Sequence, residues 1–311
     1  MALILITGGA GFIGSHLNKK LIKLGHKTIV IDNLSTGNKS NLFKNSKFLN
    51  IDISIEGFTK KLPNKIDYVY HLAAQSSGQI SYELPLYDFK ANSKATLELL
   101  QWSQKNKIKR FIFTSSMNVY GNIKKHPVAE IINPEPISFY GIGKYTSENH
   151  INLFANMGLQ STIFRLFNVY GPGQNIDNLK QGMISIYLNY LKKNKPIIVK
   201  GSLNRFRDFI YIDDVVDALI KGLKQKNKFD IFNVCSNKKY TIKQLLDIVL
   251  RSFGNTKHKI NIQSGTPLDQ FGIYGSNYKI KSKLKWTPKT NLNTGVKKML
   301  KYYNIQFKDN L

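Results

Sequence analysis

The chain has 311 residues, of which 42% are hydrophobic and 21% are charged. This length and composition allow one large α/β domain with a full core and a smaller lobe beside it. The net charge of +27 suggests a nucleic-acid partner, yet the lysines are scattered along the whole chain, without a dense basic arm or an aromatic nucleic-acid motif. We therefore expect no nucleic-acid partner, and a solvated basic surface that attracts anionic ligands.

The sequence also argues against membrane and secreted locations. No apolar run reaches the length of about 18 residues that a membrane-spanning helix needs. Met1 leads directly into a strand pattern, without the basic start and cleavage site of a signal peptide. The single cysteine, Cys235, lies in an apolar run and is expected to fill core rather than react. We expect a cytoplasmic protein without membrane insertion.

The first elements in the chain are typical of a dinucleotide-binding turn. An unbroken apolar run at residues 3–6 predicts a buried parallel strand, and residues 15–24 predict a helix. In such a turn glycine allows a tight bend, lets backbone approach a pyrophosphate, and lets the helix pack on the strand. The glycines that fit this fingerprint are Gly9, Gly11 and Gly14.

The next strand pattern, over residues 28–31, ends in an acidic residue. Asp32 follows Gly14 by 18 residues. The spacing is close to the roughly 20 residues expected before the carboxylate that binds the adenosine ribose. Because a carboxylate there would repel a 2′-phosphate, the sequence predicts NAD rather than NADP as the cofactor.

The rest of the chain alternates strands and helices, which predicts a Rossmann-type doubly wound parallel sheet. The predicted strands cover residues 48–53, 68–74, 110–115 and 161–167, and the predicted helices cover residues 85–105 and 140–156. Residues 168–182, rich in Gly, Pro and Asn, predict a loop at the carboxyl edge of the sheet, where such folds bind ligands.

The alternation breaks after this loop, which predicts a second lobe. We expect residues 1–167 to form the NAD-binding domain, with a return of the chain at about residues 208–236 through strand-like segments 208–212 and 231–235. The remaining segments, residues 168–207 and 237–311, are expected to form a smaller C-terminal α/β lobe that binds the substrate.

Two residues of the 140–156 helix predict a proton-transfer site. Tyr140 and Lys144 are four residues apart, so that phenol and ammonium share one helix face. A tyrosine is ionised near pH 7 only if its pKa is lowered by roughly three units, which corresponds to about 4 kcal/mol. A lysine alone is not enough, so we expect the site to depend on a second positive charge, such as an oxidised nicotinamide ring.

Seven motifs in this order resemble the extended short-chain dehydrogenase/reductases. The resemblance is closest to the NAD-dependent nucleotide-sugar epimerase/dehydratase family, and within it to UDP-glucose 4-epimerase-like enzymes. The motifs are TGGAGFIG (7–14), DNLSTG (32–37), HLAA (71–74), TSSMNVYG (114–121), YGIGK (140–144), RLFNVYGPG (165–173) and RDF (207–209).

The resemblance implies a role for each matching position. The catalytic residues would be Ser116, Tyr140 and Lys144, and the substrate would be bound by Ser116, Asn168 and Arg207. The residues implied to bind NAD are Gly8, Gly11, Phe12, Ile13, Gly14, Asp32, Asn33, Ser35, Gly37, Asp52, Ile53, Ala73, Ala74, Tyr140, Lys144 and Phe167. The resemblance also implies a homodimer, formed through helices near residues 92–105 and 144–156.

The implied reaction is the interconversion of C4 epimers of a nucleotide-diphosphate sugar through a transient 4-keto sugar. Family members that dehydrate the sugar carry Asp-Glu where this chain has Met117 and Asn118, and the decarboxylases keep the Glu. Epimerisation is therefore favoured, followed by 4-keto reduction or dehydrogenation, with 4,6-dehydration third. A non-enzymatic NAD-dependent binding protein is the remaining class.

Several positions keep a second interpretation. Ser115 is a rival of Ser116, and His71 is expected to pack rather than titrate. Arg207 could instead form a structural ion pair with Asp213 or Asp214, whose own carboxylates are expected to cap a helix rather than bind a metal.

The sequence departs from the family pattern at two places. The family often has an arginine three residues before the aspartate matched by Asp269, and here Thr266 stands there. Arg205 is the candidate to supply that diphosphate contact. In the family, one position limits the space for an N-acetyl group on the sugar, and this position is expected near Ile273.

Overall fold

A computed structural model describes residues 1–265 and 270–306 of the chain. The strands in chain order are β1 (Leu3–Thr7), β2 (Lys27–Asp32), β3 (Ser46–Asn50), β4 (Tyr68–His71), β5 (Arg110–Ser116), β6 (Ser161–Leu166), β7 (Asn168–Tyr170), β8 (Ile197–Lys200), β9 (Phe206–Arg207), β10 (Phe209–Tyr211), β11 (Phe229–Val234), β12 (Tyr240–Thr241) and β13 (Ile260–Gln263).

The helices are α1 (Phe12–Lys23), α2 (Gly78–Glu83), α3 (Pro85–Phe89), α4 (Ala95–Lys105), α5 (Phe139–Asn156), α6 (Met183–Lys192), α7 (Ile212–Gly222), α8 (Ile242–Phe253), α9 (Tyr278–Leu284) and α10 (Leu292–Tyr302). Among these residues no helix is both long and apolar enough to cross a membrane.

Within the described part of the chain, seven strands form one parallel sheet in the order β3, β2, β1, β4, β5, β6 and β11. Ile4 and Ile6 of β1 enter the core on one face and Leu5 enters the core on the other, because successive side chains of a strand point to opposite faces. Helices α1 and α7 cover the first face, and α4 and α5 cover the second. The predicted doubly wound parallel sheet is confirmed.

The predicted helix over residues 85–105 is continuous but not uniform. Its middle, Lys90–Lys94, is a π-helical turn between α3 and α4. At this turn the backbone carbonyl of Asn92 accepts hydrogen bonds from the Thr96 hydroxyl at 2.6 Å and from the Ser147 hydroxyl of α5 at 3.4 Å. The widened turn thus docks this helix against α5, and such turns often mark functional sites.

Two strand predictions differ from the structure. The segment predicted as a loop after β6 contains the short strand β7, and the strand predicted over residues 208–212 is β10, which pairs with β7 outside the large sheet. The reason is that β11 takes the place beside β6, so β10 has no open sheet edge there. The chain re-enters the sheet only with β11.

The segments after β7 and after β11 lie beside the carboxyl ends of the sheet strands. They contain the parallel pair β8 and β13, the antiparallel pair β9 and β12, and helices α6, α8 and α10. Helix α8 begins with a capping box, in which Thr241 and Gln244 exchange side-chain to backbone hydrogen bonds, and it ends at Gly254 with a φ of 95°.

Candidate active site

A cavity of about 1720 Å³ opens at the carboxyl ends of the sheet strands, between the sheet and the segments that follow β7 and β11. Apart from Gly9 of the glycine fingerprint, the residues that the sequence assigns to the cofactor, to catalysis or to the substrate all contribute to the lining of this cavity. Residues that are up to about 200 positions apart in the chain therefore meet in one place, as expected for a doubly wound sheet.

The glycine turn forms one end of the cavity. Gly8 has a φ of 71°, and a Cβ there would lie 2.7 Å from the backbone nitrogen of Ala73. A Cβ on Gly14 would lie 2.1 Å from the carbonyl oxygen of Gly8, so helix and strand meet at a distance that only glycine allows. Helix α1 starts at Phe12 without a side-chain cap, which leaves its first N–H groups for an anion. Gly9 does not line the cavity and packs against Val30 instead.

Asp32 is buried at the end of β2, beside the glycine turn. Its carboxylate accepts hydrogen bonds from the backbone N–H of Ala10 at 3.0 Å and of Leu34 at 2.9 Å. Asp52 accepts from the Asn33 side chain at 3.0 Å and from the Ser54 hydroxyl at 2.7 Å. Partial burial raises the pKa of Asp52, but the hydrogen bonds together outweigh this effect and lower the pKa below its ordinary value.

The three predicted catalytic residues meet at the centre of the cavity. Ser116 is the last residue of β5, and Tyr140 is the second residue of α5, which is capped by the Ser138 hydroxyl. Lys144 lies one turn further along α5, with its ammonium donating to the Thr114 carbonyl at 2.9 Å and lying 6.0 Å from the centre of the Tyr140 ring. The Ser116 hydroxyl lies near the Tyr140 phenol and lowers its pKa.

Burial governs the protonation of this group. It raises the pKa of Tyr140 to about 12, against the opposing effect of the Ser116 hydroxyl. It also lowers the pKa of Lys144 to about 8. The protein's own groups therefore leave Tyr140 as a neutral phenol at pH 7. This agrees with the expectation that ionisation needs a second positive charge beside the ring.

The hydroxyl of Ser115, the rival of Ser116, is buried and makes no hydrogen bond to the described residues. Ser116 Oγ, by contrast, accepts from the backbone N–H of Asn118 at 3.2 Å and lies near Tyr140. The geometry favours Ser116 as the hydroxyl that acts beside Tyr140.

His71 packs, and its hydrogen bonds fix its tautomer. Thr7 Oγ1 accepts from the backbone N–H groups of residues 72–73 at 3.1 and 3.0 Å, so its own proton points to His71 Nδ1, 2.7 Å away. The proton of His71 is then on Nε2, which donates to Thr96 Oγ1 at 3.0 Å, and Thr96 donates to the Asn92 carbonyl. Burial lowers the pKa of His71 to about 3, so the ring is neutral.

The predicted substrate residues line the same cavity. Asn168 Nδ2 donates to the carbonyl of Asp208 at 2.9 Å, which fixes its amide. Arg207 is buried and donates to the carbonyls of Phe206 and Gln270, each at 2.8 Å. Arg205 lines the same cavity, and its contact with a diphosphate stays a prediction.

The alternative partners of Arg207 have other roles. Asp213 and Asp214 lie in the first turn of α7, where acidic residues favour the helix dipole, but α7 has no side-chain cap, so the expected capping is not found. The carboxylate of Asp214 accepts from the backbone N–H of Lys289 at 2.9 Å and of Thr290 at 3.0 Å. Within residues 1–265 and 270–306, no cluster of three or more His, Cys, Asp or Glu could hold a metal ion.

Ile273 does not line the cavity, so the expectation that it controls bulk there is not supported. Its side chain is fully buried with Tyr120 and Val128, whereas Met117 of the same cluster reaches the cavity. The other departure from the family pattern, at positions 266 and 269, lies outside the described residues.

Sequence reasoning missed the outer wall of the cavity, where two segments touch. Gln181 Nε2 donates to Ser76 Oγ at 2.9 Å, and Lys180 Nζ lies 3.4 Å from Glu83 Oε2. These residues, Ser76, Glu83, Lys180 and Gln181, all line the cavity. No spacing rule links residues 105 positions apart, so the sequence holds no local signal for this contact.

The model of the NAD dependent epimerase/dehydratase family matches residues 4–235 of this chain. A putative UDP-glucose 4-epimerase of Methanocaldococcus jannaschii is 36% identical over 309 residues, which are 96% of this chain and 98% of that protein. UDP-glucuronic acid decarboxylase 1 of Arabidopsis thaliana is 32% identical over 307 residues, or 96% of this chain and 68% of that protein. The crystal structure of UDP-glucose 4-epimerase with UDP-glucose from Thermotoga maritima matches with a TM-score of 0.93 and 36% identity, covering 97% of this chain and 98% of that one.

The parallel sheet, its glycine turn and the Ser, Tyr and Lys side chains in one cavity define an extended short-chain dehydrogenase/reductase. Within this class, the chain belongs to the NAD-dependent epimerase/dehydratase family, and it is an enzyme of the nucleotide-sugar branch of that family.

Proposed function

We propose that this enzyme interconverts the C4 epimers of a nucleotide-diphosphate sugar of the UDP-glucose/UDP-galactose type, with NAD as a retained cofactor. The observation that carries the proposal is the convergence of Ser116, Tyr140 and Lys144 in the same cavity as the glycine turn. The names of two similar proteins, each 36% identical to this chain, favour UDP-glucose as the sugar nucleotide.

The residues present fit NAD. The uncapped start of α1 would hold the pyrophosphate, and the close approach at Gly8 and Gly14 packs the helix on the strand so that its N–H groups face the cavity end. The carboxylate of Asp32, already oriented by two backbone N–H groups, would accept from the adenosine ribose hydroxyls. When bound, NAD supplies the acceptor for the C4 hydride and the donor that returns it.

Tyr140 is the acid and base of the proposed reaction. Its phenolate takes the proton of the sugar 4-hydroxyl as the C4 hydride leaves, and it returns the proton when the hydride comes back. Ser116 holds the reacting oxygen through a hydrogen bond, and the Lys144 ammonium stabilises the phenolate. No net oxidation or reduction of the sugar results.

Inversion requires the 4-keto sugar to present its other face without leaving. We propose that Arg207 and Arg205 hold the diphosphate while the hexose turns, because a guanidinium can bind phosphate oxygens bidentately. Asn168 contacts the sugar side. This grip keeps the intermediate in the cavity, where the same hydride can return.

Met117 and Asn118 support epimerisation over dehydration and decarboxylation. Both residues line the cavity next to Ser116, and neither can act as an acid or base for elimination at C5 and C6. A redox enzyme that releases NADH remains distinguishable, because it would produce a net change of absorbance in the nicotinamide band.

The test is incubation of the purified protein with a panel of nucleotide sugars, following the C4 proton by NMR. The expected result is equilibration of two epimers without NADH accumulation. Tyr140→Phe should lower the rate by roughly 100-fold or more, since it removes the acid and base. Tyr145→Phe, which removes a hydroxyl from the same helix outside the cavity lining, is the matched control and should keep the rate. Full activity in Tyr140→Phe would refute the mechanism.

A further inference from the structure

A buried carboxylate that the proposed mechanism does not use lies against helix α5. Asp88 of α3 is only 1% exposed. Its Oδ1 accepts hydrogen bonds from the Gln75 side chain at 2.7 Å and from the Asn92 side chain at 3.0 Å. Both donors are neutral amides, so they orient the carboxylate without neutralising its charge. Burying an ion in this way is costly unless another charge benefits from it.

The other oxygen of Asp88 faces the turn of α5 that carries the catalytic pair. A Cβ on Gly143 would lie 3.2 Å from Asp88 Oδ2, so glycine at this position is what lets the carboxylate approach the helix backbone. The carbonyl of Gly143 accepts from the Ser93 hydroxyl at 3.2 Å and from the Ser147 hydroxyl at 2.9 Å. The residue next to Gly143 is Lys144. Helix α5 is therefore attached to the segment around Asp88 at the residue before the catalytic lysine.

Two carboxylates act on the charge of Lys144, those of Asp88 and Glu148. His71 is neutral, as its pKa of about 3 shows. Glu148, one turn along α5, is committed to Arg165 of β6, with N to O distances of 3.0 and 2.6 Å. Burial lowers the pKa of Lys144, and the charge of Asp88 opposes this effect; burial raises the pKa of Tyr140, and the charge of Asp88 adds to it.

We propose that Asp88 is a positioning residue for the Tyr140 and Lys144 pair. Its buried negative charge is a counter-charge of the Lys144 ammonium, and its contact with Gly143 fixes the position of the turn of α5 that carries the pair. The assignment rests on the proposed function for its role in catalysis. The charge and the contact belong to the structure whichever reaction is catalysed. Asp88 acts on the reacting atoms through Tyr140 and Lys144, and it does not contact the substrate itself in this proposal.

The test is Asp88→Asn in the NAD-saturated protein. The amide oxygen can still accept from Gln75 and Asn92, so the shape is kept and the charge is removed. Loss of a nearby negative charge lowers the pKa of Lys144 and of Tyr140 alike. Both limbs of the pH profile of kcat should therefore move to lower pH, by on the order of one unit. A purely structural role would lower the rate and leave the limbs in place.

Asp230→Asn is the matched control. Asp230 of β11 is also a buried carboxylate that accepts from two side-chain amides, those of Gln225 and Asn227, each at 2.7 Å, and its other oxygen pairs with Lys279 Nζ at 3.1 Å. Its pH profile should equal that of the parent protein. If Asp88→Asn does not fold, Asp88→Ser removes the same charge and leaves a hydroxyl acceptor.

A second readout does not depend on the reaction. The ring-carbon NMR signal of isotopically labelled Tyr140, assigned by its loss in Tyr140→Phe, reports the ionisation of the phenol. It should titrate at lower pH in Asp88→Asn than in the parent. An unchanged titration and unchanged limbs would overturn the role of Asp88. A shifted NMR titration in a protein that epimerises no nucleotide sugar would instead overturn the proposed function and leave Asp88 in place.

Discussion

At the scale of single residues, Asp32 has a structural use beside its proposed one. Its carboxylate accepts from the backbone N–H groups of Ala10 and Leu34, and so holds the glycine turn and the end of β2 together. A group that is already oriented loses little conformational freedom when a ligand binds, which favours affinity. The same negative charge is the proposed basis of the choice of NAD over NADP.

Asp32→Asn should lower NAD affinity by about tenfold or more, because a hydrogen bond to a charged acceptor is replaced by one to a neutral amide. The discrimination against NADP should shrink, since the repulsion of the 2′-phosphate is lost. Titration of both cofactors by fluorescence measures the two effects. Asp247→Asn, the same change at an exposed position of α8, should alter neither. Unchanged cofactor selectivity in Asp32→Asn would show that Asp32 does not read the ribose.

At the scale of elements, the contact between β1 and α1 depends on a missing side chain. Gly14→Ala would place a Cβ 2.1 Å from the Gly8 carbonyl oxygen, which forces the turn and the helix apart. We expect a loss of stability of at least about 1–3 kcal/mol, as overpacking costs, together with a loss of NAD binding. Urea unfolding and a cofactor titration measure these.

Gly78→Ala provides the control for that change. Gly78 is the first residue of α2, and a Cβ there would meet nothing within 4 Å. The free energy of unfolding should stay the same or rise by at most about 1 kcal/mol, because alanine is the better helix former. Equal destabilisation of both variants would mean that steric contact is not the cause.

The link between α5 and β6 is a buried ion pair. Arg165 donates to both carboxylate oxygens of Glu148, and its guanidinium also lies 4.7 Å from the centre of the Tyr120 ring. Glu148→Ala should lower the free energy of unfolding by about 3–5 kcal/mol, because an unpaired charge stays buried. Glu83→Gln, which breaks the half-exposed pair with Lys180, should change it little. A small loss in Glu148→Ala would show that water reaches Arg165.

At the scale of the whole molecule, the homodimer stays a prediction, and its proposed interface includes α5. Leu153 and Met157, at and just beyond the end of this helix, are 58% and 57% exposed, and Leu86 and Phe89 of the adjacent α3 are 75% and 55% exposed. Apolar side chains on neighbouring helices are what a second copy would cover.

Light scattering should give twice the mass of one chain at working concentration, and Leu153→Glu should give a monomer, because a buried unpaired carboxylate opposes association. Lys301→Glu, a charge change at an exposed position of α10, is the control and should stay dimeric. A monomeric parent protein would refute the prediction.

The spacing of residues within short segments determined much of the predicted fold and site of this protein. The run of strand, glycine turn and helix, the position of Asp32 and the spacing of Tyr140 and Lys144 each lie within one or two elements, where periodicity and backbone geometry act directly. These features predicted the sheet and located residues that share one cavity in the structure.

The tertiary structure decided what depends on distant segments. It paired β10 with β7 rather than with the large sheet, buried Ile273 away from the cavity, brought Gln181 to Ser76 across the cavity mouth, and placed Asp88 against Gly143. The physical reason is that burial, close approach and the electrostatic effect of a charge depend on three-dimensional neighbours. Those neighbours are set by how the whole chain packs, and no local pattern records them.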